Sequence, residues 1–228
     1  GLEEKVFSMD EKFIDMGYRM INGVRIKDWK AGGHGTETYL EVLQNSCNPG
    51  FMEIGLRLGK DRLISYMKKF GYGEKTGIDL IGETSGIIFD PKNMGDLETA
   101  TSAFGQGIST SAIQLVTAVS AAVNGGNLLK PTILKGLGIS NTKNVIYQST
   151  PIVKRKVISK ETSDKVADAL EHVVALGTGR SAFVQGLRIG GKTGTAQIAQ
   201  DGHYLDGQYI LSFIGIAPMN DPQIVVYF

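Results

Sequence analysis

The sequence predicts an α+β fold, an antiparallel sheet flanked by helices, and three observations carry that expectation. Amphipathic helical stretches come first, three strand-like runs close the chain, and the connections between those runs are rich in turn residues. With 228 residues, 42% hydrophobic and 21% charged, the chain can bury a full core and is far from the composition of a disordered segment.

Each element is justified in order. Residues 10–35 carry Gly17, Gly23, Gly32, Gly33 and Gly35 without a sustained period, which reads as loop and short strands. Thr36 is the expected N-cap of a helix with Tyr39, Leu40 and Leu43 on one face. That helix meets Asn45-Ser46-Cys47-Asn48-Pro49-Gly50, where Pro49 disfavours a helical backbone at Asn48, so Ser46 and Asn48 are placed at a helix junction. Two further helical stretches carry Phe51, Ile54 and Leu58, then Leu63, Ile64, Met67 and Phe70, before Gly71 and Gly73 end them.

Residues 82–97 are rich in turn formers. Ser111 caps a helix with Ile113, Leu115, Val116, Val119 and Val123, closed by Asn124-Gly125-Gly126. Ser159 caps another, with Val166, Leu170, Val173 and Val174 as its buried stripe and Gly177 at its end. Three strands follow, over 187–198, 208–217 and 223–228. Asp201-Gly202, Asp206-Gly207 and Asn220-Asp221-Pro222 lie between them, so the expected topology is an antiparallel meander.

Charge and composition remove some functions. Against 24 Lys plus Arg stand 23 Asp plus Glu, and no long basic run suggests a nucleic-acid surface. A single Cys47 allows no intrachain disulfide and does not decide the redox compartment. The sequence has no apolar run long enough for a membrane span and no signal peptide, so any membrane anchor is expected outside it.

The strongest local motif is Gly190-Gly191-Lys192-Thr193-Gly194-Thr195-Ala196 on the first strand of the meander. Glycines around a strand lysine let a substrate backbone approach a sheet edge, while Lys192, Thr193 and Thr195 offer donors to a carboxylate. Lys75-Thr76-Gly77 repeats the triplet in a turn context and is set aside as a loop. Ser46-Cys47-Asn48 adds a hydroxyl for proton relay and a carboxamide for orienting a substrate amide. Alone, that triplet reads rather as a helix stop capped by its own side chains, and it is the pairing with the strand lysine that favours the chemical reading.

Taken together, Asn45-Ser46-Cys47-Asn48-Pro49-Gly50-Phe51, the stretch from Phe70 to Leu80, Phe104-Gly105-Gln106-Gly107-Ile108 and Gly191-Lys192-Thr193-Gly194-Thr195-Ala196-Gln197 resemble class B penicillin-binding transpeptidases in order and spacing. The resemblance implies a penicillin-binding transpeptidase/β-lactamase-like fold and a serine-type D,D-transpeptidase that joins peptidoglycan stem peptides and is acylated by β-lactams. It implies Ser46 and Lys192 in the proton relay and Asn48 against the substrate peptide. Thr193, Gly194 and Thr195 would line the substrate strand, with the Thr195 N–H as one oxyanion-hole donor. The alternatives are a β-lactamase or D,D-carboxypeptidase of the same fold, or a penicillin-binding sensor without turnover.

The nucleophile of such enzymes lies in Ser-x-x-Lys ahead of the Ser-x-Asn triplet. Ser65-Tyr66-Met67-Lys68 and Ser140-Asn141-Thr142-Lys143 both follow Ser46, so the expectation is that the nucleophile segment precedes residue 1, that a terminal helix follows residue 228, and that this stretch alone is inactive. A glycosyltransferase of the cell-wall machinery is the implied partner, at the extracytoplasmic face of the bacterial membrane. The chemistry itself needs no cofactor. Asp28, His34, Cys47 and His203 nevertheless offer the carboxylate, two imidazoles and thiolate of a tetrahedral zinc site, with Asp201 or Asp206 as substitute ligands; the alternative is a buried structural Cys, a His that caps a loop and an exposed turn His.

Overall fold

A computed structural model describes residues 1–140, 144–200 and 203–228, with side chains except at 199, 200, 203, 204 and 206. The glycine-rich opening forms four short strands: β1 (Lys12–Asp15), β2 (Tyr18–Ile21), β3 (Val24–Lys27) and β4 (Gly35–Thr38). β2 and β3 make a hairpin whose Asn22-Gly23 turn has positive φ at both residues, the backbone that a two-residue hairpin demands. β1 pairs antiparallel with β4, and Thr36 stands opposite Ile14 in that ladder. Thr36 therefore cannot cap the first helix, contrary to the sequence expectation. Thr38 does so instead, its hydroxyl accepting from the Glu41 N–H while the Glu41 carboxylate accepts from the Thr38 N–H.

The helical layer follows: α1 (Tyr39–Asn45), α2 (Asn48–Leu58), α3 (Lys60–Lys69), α4 (Asp96–Ala103) and α5 (Ala112–Val123). Ser111 caps α5, as its sequence predicts. Asn48 is helical despite preceding Pro49. Proline is tolerated in a first turn, where its missing N–H has no intrahelical partner to lose. A Cβ on Gly50 would lie 2.5 Å from the Val42 methyls, so glycine is what lets α2 cross α1 at this distance. Helix α4 was not expected from its residues: Gly95 precedes it, and its side chains are mostly small or polar. The Glu98 carboxylate accepts from the Gly95 N–H and closes its first turn.

Two more antiparallel pairs were also unexpected, β5 (Asn127–Lys130) with β8 (Ile152–Lys156), and β6 (Gly136–Gly138) with β7 (Val145–Gln148). Then α6 (Lys160–Leu176), capped by Ser159, leads into β9 (Gly190–Gln200), β10 (His203–Ala217) and β11 (Ile224–Tyr227). These three form the expected meander, in the order β11-β10-β9 with β9 at an edge. Val123 of α5, Leu170 of α6, Ile216 of β10 and the following Met219 join helices and sheet in one buried cluster. Gly177 at the end of α6 abuts Gln44 of α1, where a Cβ would come within 2.3 Å of the Gln44 carbonyl oxygen. This contact brings the α1–α2 junction beside the sheet edge.

Candidate active site

Helix α1 ends at Ser46, whose φ of 58° is left-handed, an uncommon state for a residue with a side chain. The next residue, Cys47, is the N-cap of α2 and is fully buried, its Sγ accepting from the Gly50 N–H at 3.4 Å. The Asn48 N–H, which begins α2 and has no intrahelical partner, donates to Asp28 Oδ1 at 3.0 Å. One short segment thus sends Ser46 towards the sheet and Cys47 inward.

From the sheet side, Lys192 Nζ donates to Ser46 Oγ at 2.7 Å and to the Thr193 carbonyl at 3.0 Å. Burial holds the Lys192 ammonium well below the usual lysine range, at about 8. Thr193 Oγ1 lies 3.1 Å from Thr178 Oγ1, and the Thr178 N–H donates to the Gln44 carbonyl, so Thr178 couples β9 to α1. Thr178 carries no motif and escaped the sequence reading. Gly194 and Thr195 stand opposite Ser212 and Leu211 on the open-edged β9. The glycines answer to packing within the sheet: a Cβ at Gly191 would lie 2.4 Å from Phe213 Cζ, and one at Gly194 2.6 Å from Ser212 Oγ. The open edge of β9 is what leaves room for a substrate backbone. Lys75-Thr76-Gly77 sits in a loop folded onto Glu83, whose carboxylate accepts from the N–H groups of Thr76 and Gly77.

Behind Ser46, four side chains converge. One ligand-type atom each from Asp15, Asp28, His34 and Cys47 lies within 4.8 Å of the others. His34 Nδ1 is 3.1 Å from Asp15 Oδ2 and 2.9 Å from Asp28 Oδ2, and all three side chains are buried. One ring nitrogen cannot donate to both carboxylates, and among the described residues the buried Asp28 Oδ2 and Glu37 Oε1 have no hydrogen-bond partner. Burial raises the Asp28 carboxyl above its usual range against the pull of the Asn48 N–H. Burial, reinforced by Glu37, raises the Cys47 thiol far above the usual range. Asp15 is also buried, but the N–H groups of Gly17 and His34 outweigh that and keep its carboxyl low. This donor set of one thiol, one imidazole and two carboxylates fits a tetrahedral zinc ion.

The structure brings Asp28, His34 and Cys47 together as expected, and adds Asp15. Asp15 precedes a turn at the end of β1, where an aspartate two residues before a glycine reads as ordinary turn chemistry. The side chains of His203, Asp201 and Asp206 lie outside the described residues.

All 228 residues match the family model of the penicillin-binding protein transpeptidase domain. Stage V sporulation protein D of Bacillus subtilis is 56% identical over 99% of the chain and 35% of that protein. A peptidoglycan D,D-transpeptidase FtsI homolog of Mesostigma viride is 33% identical over 99% of the chain and 42% of that protein. The chain thus spans about a third to two-fifths of these relatives. Among solved structures, penicillin-binding protein 3 of Mycobacterium tuberculosis complexed with ampicillin superposes with a TM-score of 0.88 at 30% identity, over 99% of this chain and 52% of that one. The chain belongs to the penicillin-binding protein transpeptidase domain family.

Proposed function

We propose that this domain works in a peptidoglycan D,D-transpeptidase that joins stem peptides through an acyl-serine intermediate, and that β-lactams acylate the same serine. The observation that carries the reading is the 2.7 Å contact of Lys192 Nζ with Ser46 Oγ at the open edge of β9. A stem peptide ending in D-Ala-D-Ala lies along that edge, its carboxylate met by Thr193, Thr195 and Lys192, while Asn48 orients its backbone amide. The serine oxygen attacks the penultimate carbonyl carbon, and the peptide C–N bond to the terminal D-Ala breaks. The hydroxyl proton passes through the Ser46–Lys192 relay to the departing amine. In the second half, the amine of a neighbouring peptide attacks the ester, releasing the serine and forming the cross-link.

Ser65 lies on an exposed face of α3, and no described hydroxyl other than that of Ser46 bonds to Lys192. In this reading the attacking serine comes from a Ser-x-x-Lys segment other than those at Ser65 and Ser140. Anchorage at the extracytoplasmic face, a glycosyltransferase partner and, by likeness to the sporulation relative, a role in spore cortex synthesis belong to the same reading. No helix among the described residues is long and apolar enough to cross a membrane.

We further propose that Asp15, Asp28, His34 and Cys47 hold one structural zinc ion, which would supply the positive charge that two buried carboxylates and a thiol lack. The test of the reaction is a product assay on the full-length protein with a D-Ala-D-Ala stem peptide and an amine acceptor. Cross-linked dimer is the expected product. Free D-Ala without dimer would establish the carboxypeptidase alternative, and no turnover the sensor.

A further inference from the structure

We propose that the β6–β7 ribbon is a membrane-contact element, whose apolar side chains enter the headgroup region of an anionic lipid surface. The proposal extends the reading that sets this domain at the extracytoplasmic face, and its test is independent of transpeptidation. Between Glu98 and Glu161 the chain has no acidic residue and seven basic ones, although its net charge is only +1. That stretch holds β5 to β8, where Ile133, Leu137, Val145, Ile146, Tyr147 and Val153 are all exposed.

The lobe is held firmly at its base. Arg155 of β8 donates to the carbonyls of Lys69 and Lys68 at the end of α3, at 2.7 and 2.8 Å. Lys154 and Arg155 both pair with Glu74, and Lys130 of β5 pairs with Asp79, which also accepts from the Thr132 hydroxyl. Asp79 is followed by Leu80 and the fully exposed Ile81, so a second apolar tip stands at the foot of the ribbon. Further out, Lys135 is exposed at the entry to β6.

Beyond that base, β6 pairs only with β7 among the described residues. A two-stranded ribbon is marginal in water unless one of its faces is covered. Neighbouring residues of a strand point to opposite faces, and here Val145 is 65% and Ile146 70% exposed. A docked protein, or a second copy of this chain, would cover one face and leave the other wet. A lipid interface surrounds both faces at once, while a lysine beside the apolar residues meets the anionic headgroups. Apolar exposure on both faces, together with a single sign of charge, selects lipid over protein as the occupant.

Flotation with the 228-residue chain, in which no described helix can cross a membrane, tests this on vesicles of phosphatidylglycerol and of phosphatidylcholine. Binding should favour phosphatidylglycerol and weaken with salt. Val145→Ser combined with Ile146→Ser should weaken it about tenfold or more, the worth of two apolar side chains leaving the interface. Lys135→Glu should weaken it about fivefold or more. Ile224→Ser, exposed on the meander, should change nothing. All these positions are exposed, so the variants should melt with the unmodified chain. Equal binding by the ribbon variants, or no preference for the anionic lipid, would overturn the proposal. Variants that lose self-association in sedimentation but keep their vesicle binding would assign the ribbon to a second copy and overturn it too. Hydrogen exchange in the full-length protein needs no variant: the β7 amides should be protected in phosphatidylglycerol bilayers relative to detergent, and equal exchange overturns the proposal. Absence of turnover in the product assay would leave these outcomes unchanged, so the two readings fail separately.

Discussion

At the scale of single residues, Lys192 has the most to do. Its ammonium is drawn from water towards Ser46 Oγ, and burial brings its proton affinity down to about 8. In the full-length protein, Lys192→Ala should therefore cut acylation by ~10²–10⁴, the usual loss of a positioned proton-transfer group. Lys75→Ala, on a loop closed over Glu83, should leave acylation nearly unchanged. Equal losses from the two substitutions would show that the wrong Lys-Thr-Gly had been chosen. A second consequence concerns pH. Acylation should rise with pH around 8 as Lys192 becomes able to accept a proton, and Lys192→Arg, which stays charged, should lose that inflection. Linkage to stability has a definite sign. The folded-state value lies below the ordinary ~10.4, so the unfolded chain binds more protons between about 8 and that value, and stability rises with pH across the window. Stopped-flow acylation and thermal melts over that range check both effects.

At the scale of elements, the α1–α2 junction decides how the site is held. Ser46 in a left-handed backbone, Cys47 as the N-cap of α2 and Asn48 bonded to Asp28 form a corner between the sheet edge and the zinc ligands proposed here. Chelation should lower the melting temperature by roughly 5–10 °C, which corresponds to about 2.7 kcal/mol of linkage for a site filled at a hundred times its dissociation constant. Cys47→Ser and Asp15→Asn should each reduce the metal content found by elemental analysis. Metal-free protein whose melting temperature is indifferent to chelator would leave Cys47 an ordinary buried thiol. Much of this corner was legible in the sequence, because Pro49 marks the junction and the two motif triplets name their own residues. Asp15 and Thr178 were not legible. Each acts through a partner far along the chain, Asp15 on His34 and Thr178 on Gln44 and Thr193, and no local pattern encodes such a meeting. The same limit explains the shifted start of α1. Thr36 and Thr38 are equally good caps by type, and the β1–β4 ladder, which runs through Thr36 and ends at Thr38, leaves only the second at the helix start.

At the scale of the whole molecule, the meander was readable from its alternation and turn residues, whereas β5 to β8 were not, since all four are short and β6 to β8 are largely exposed on both faces. The sheet itself is unequal on its two sides. Ile214 and Ile216 are buried towards the helices, while Leu211, Ile224, Val226 and Phe228 are exposed. The 228-residue chain produced alone should therefore bind an apolar dye and associate with rising concentration, which sedimentation would detect. The last prediction concerns what that chain can do chemically. In the proposed reaction Lys192 has its relay hydroxyl in Ser46, and the attacking serine is presented at the same cleft with a lysine of its own one helical turn away. Ser65 and Lys68 are exposed on α3 and make no bond to Ser46 or Lys192. Ser140 is exposed after β6, and its partner Lys143 lies outside the described residues. Incubation of the 228-residue chain with a labelled penicillin, read by intact mass, should give no covalent adduct, while the full-length protein gives one per molecule. A stoichiometric adduct mapped to Ser65 or Ser140 would place the nucleophile within this chain and reverse the assignment of the attacking serine.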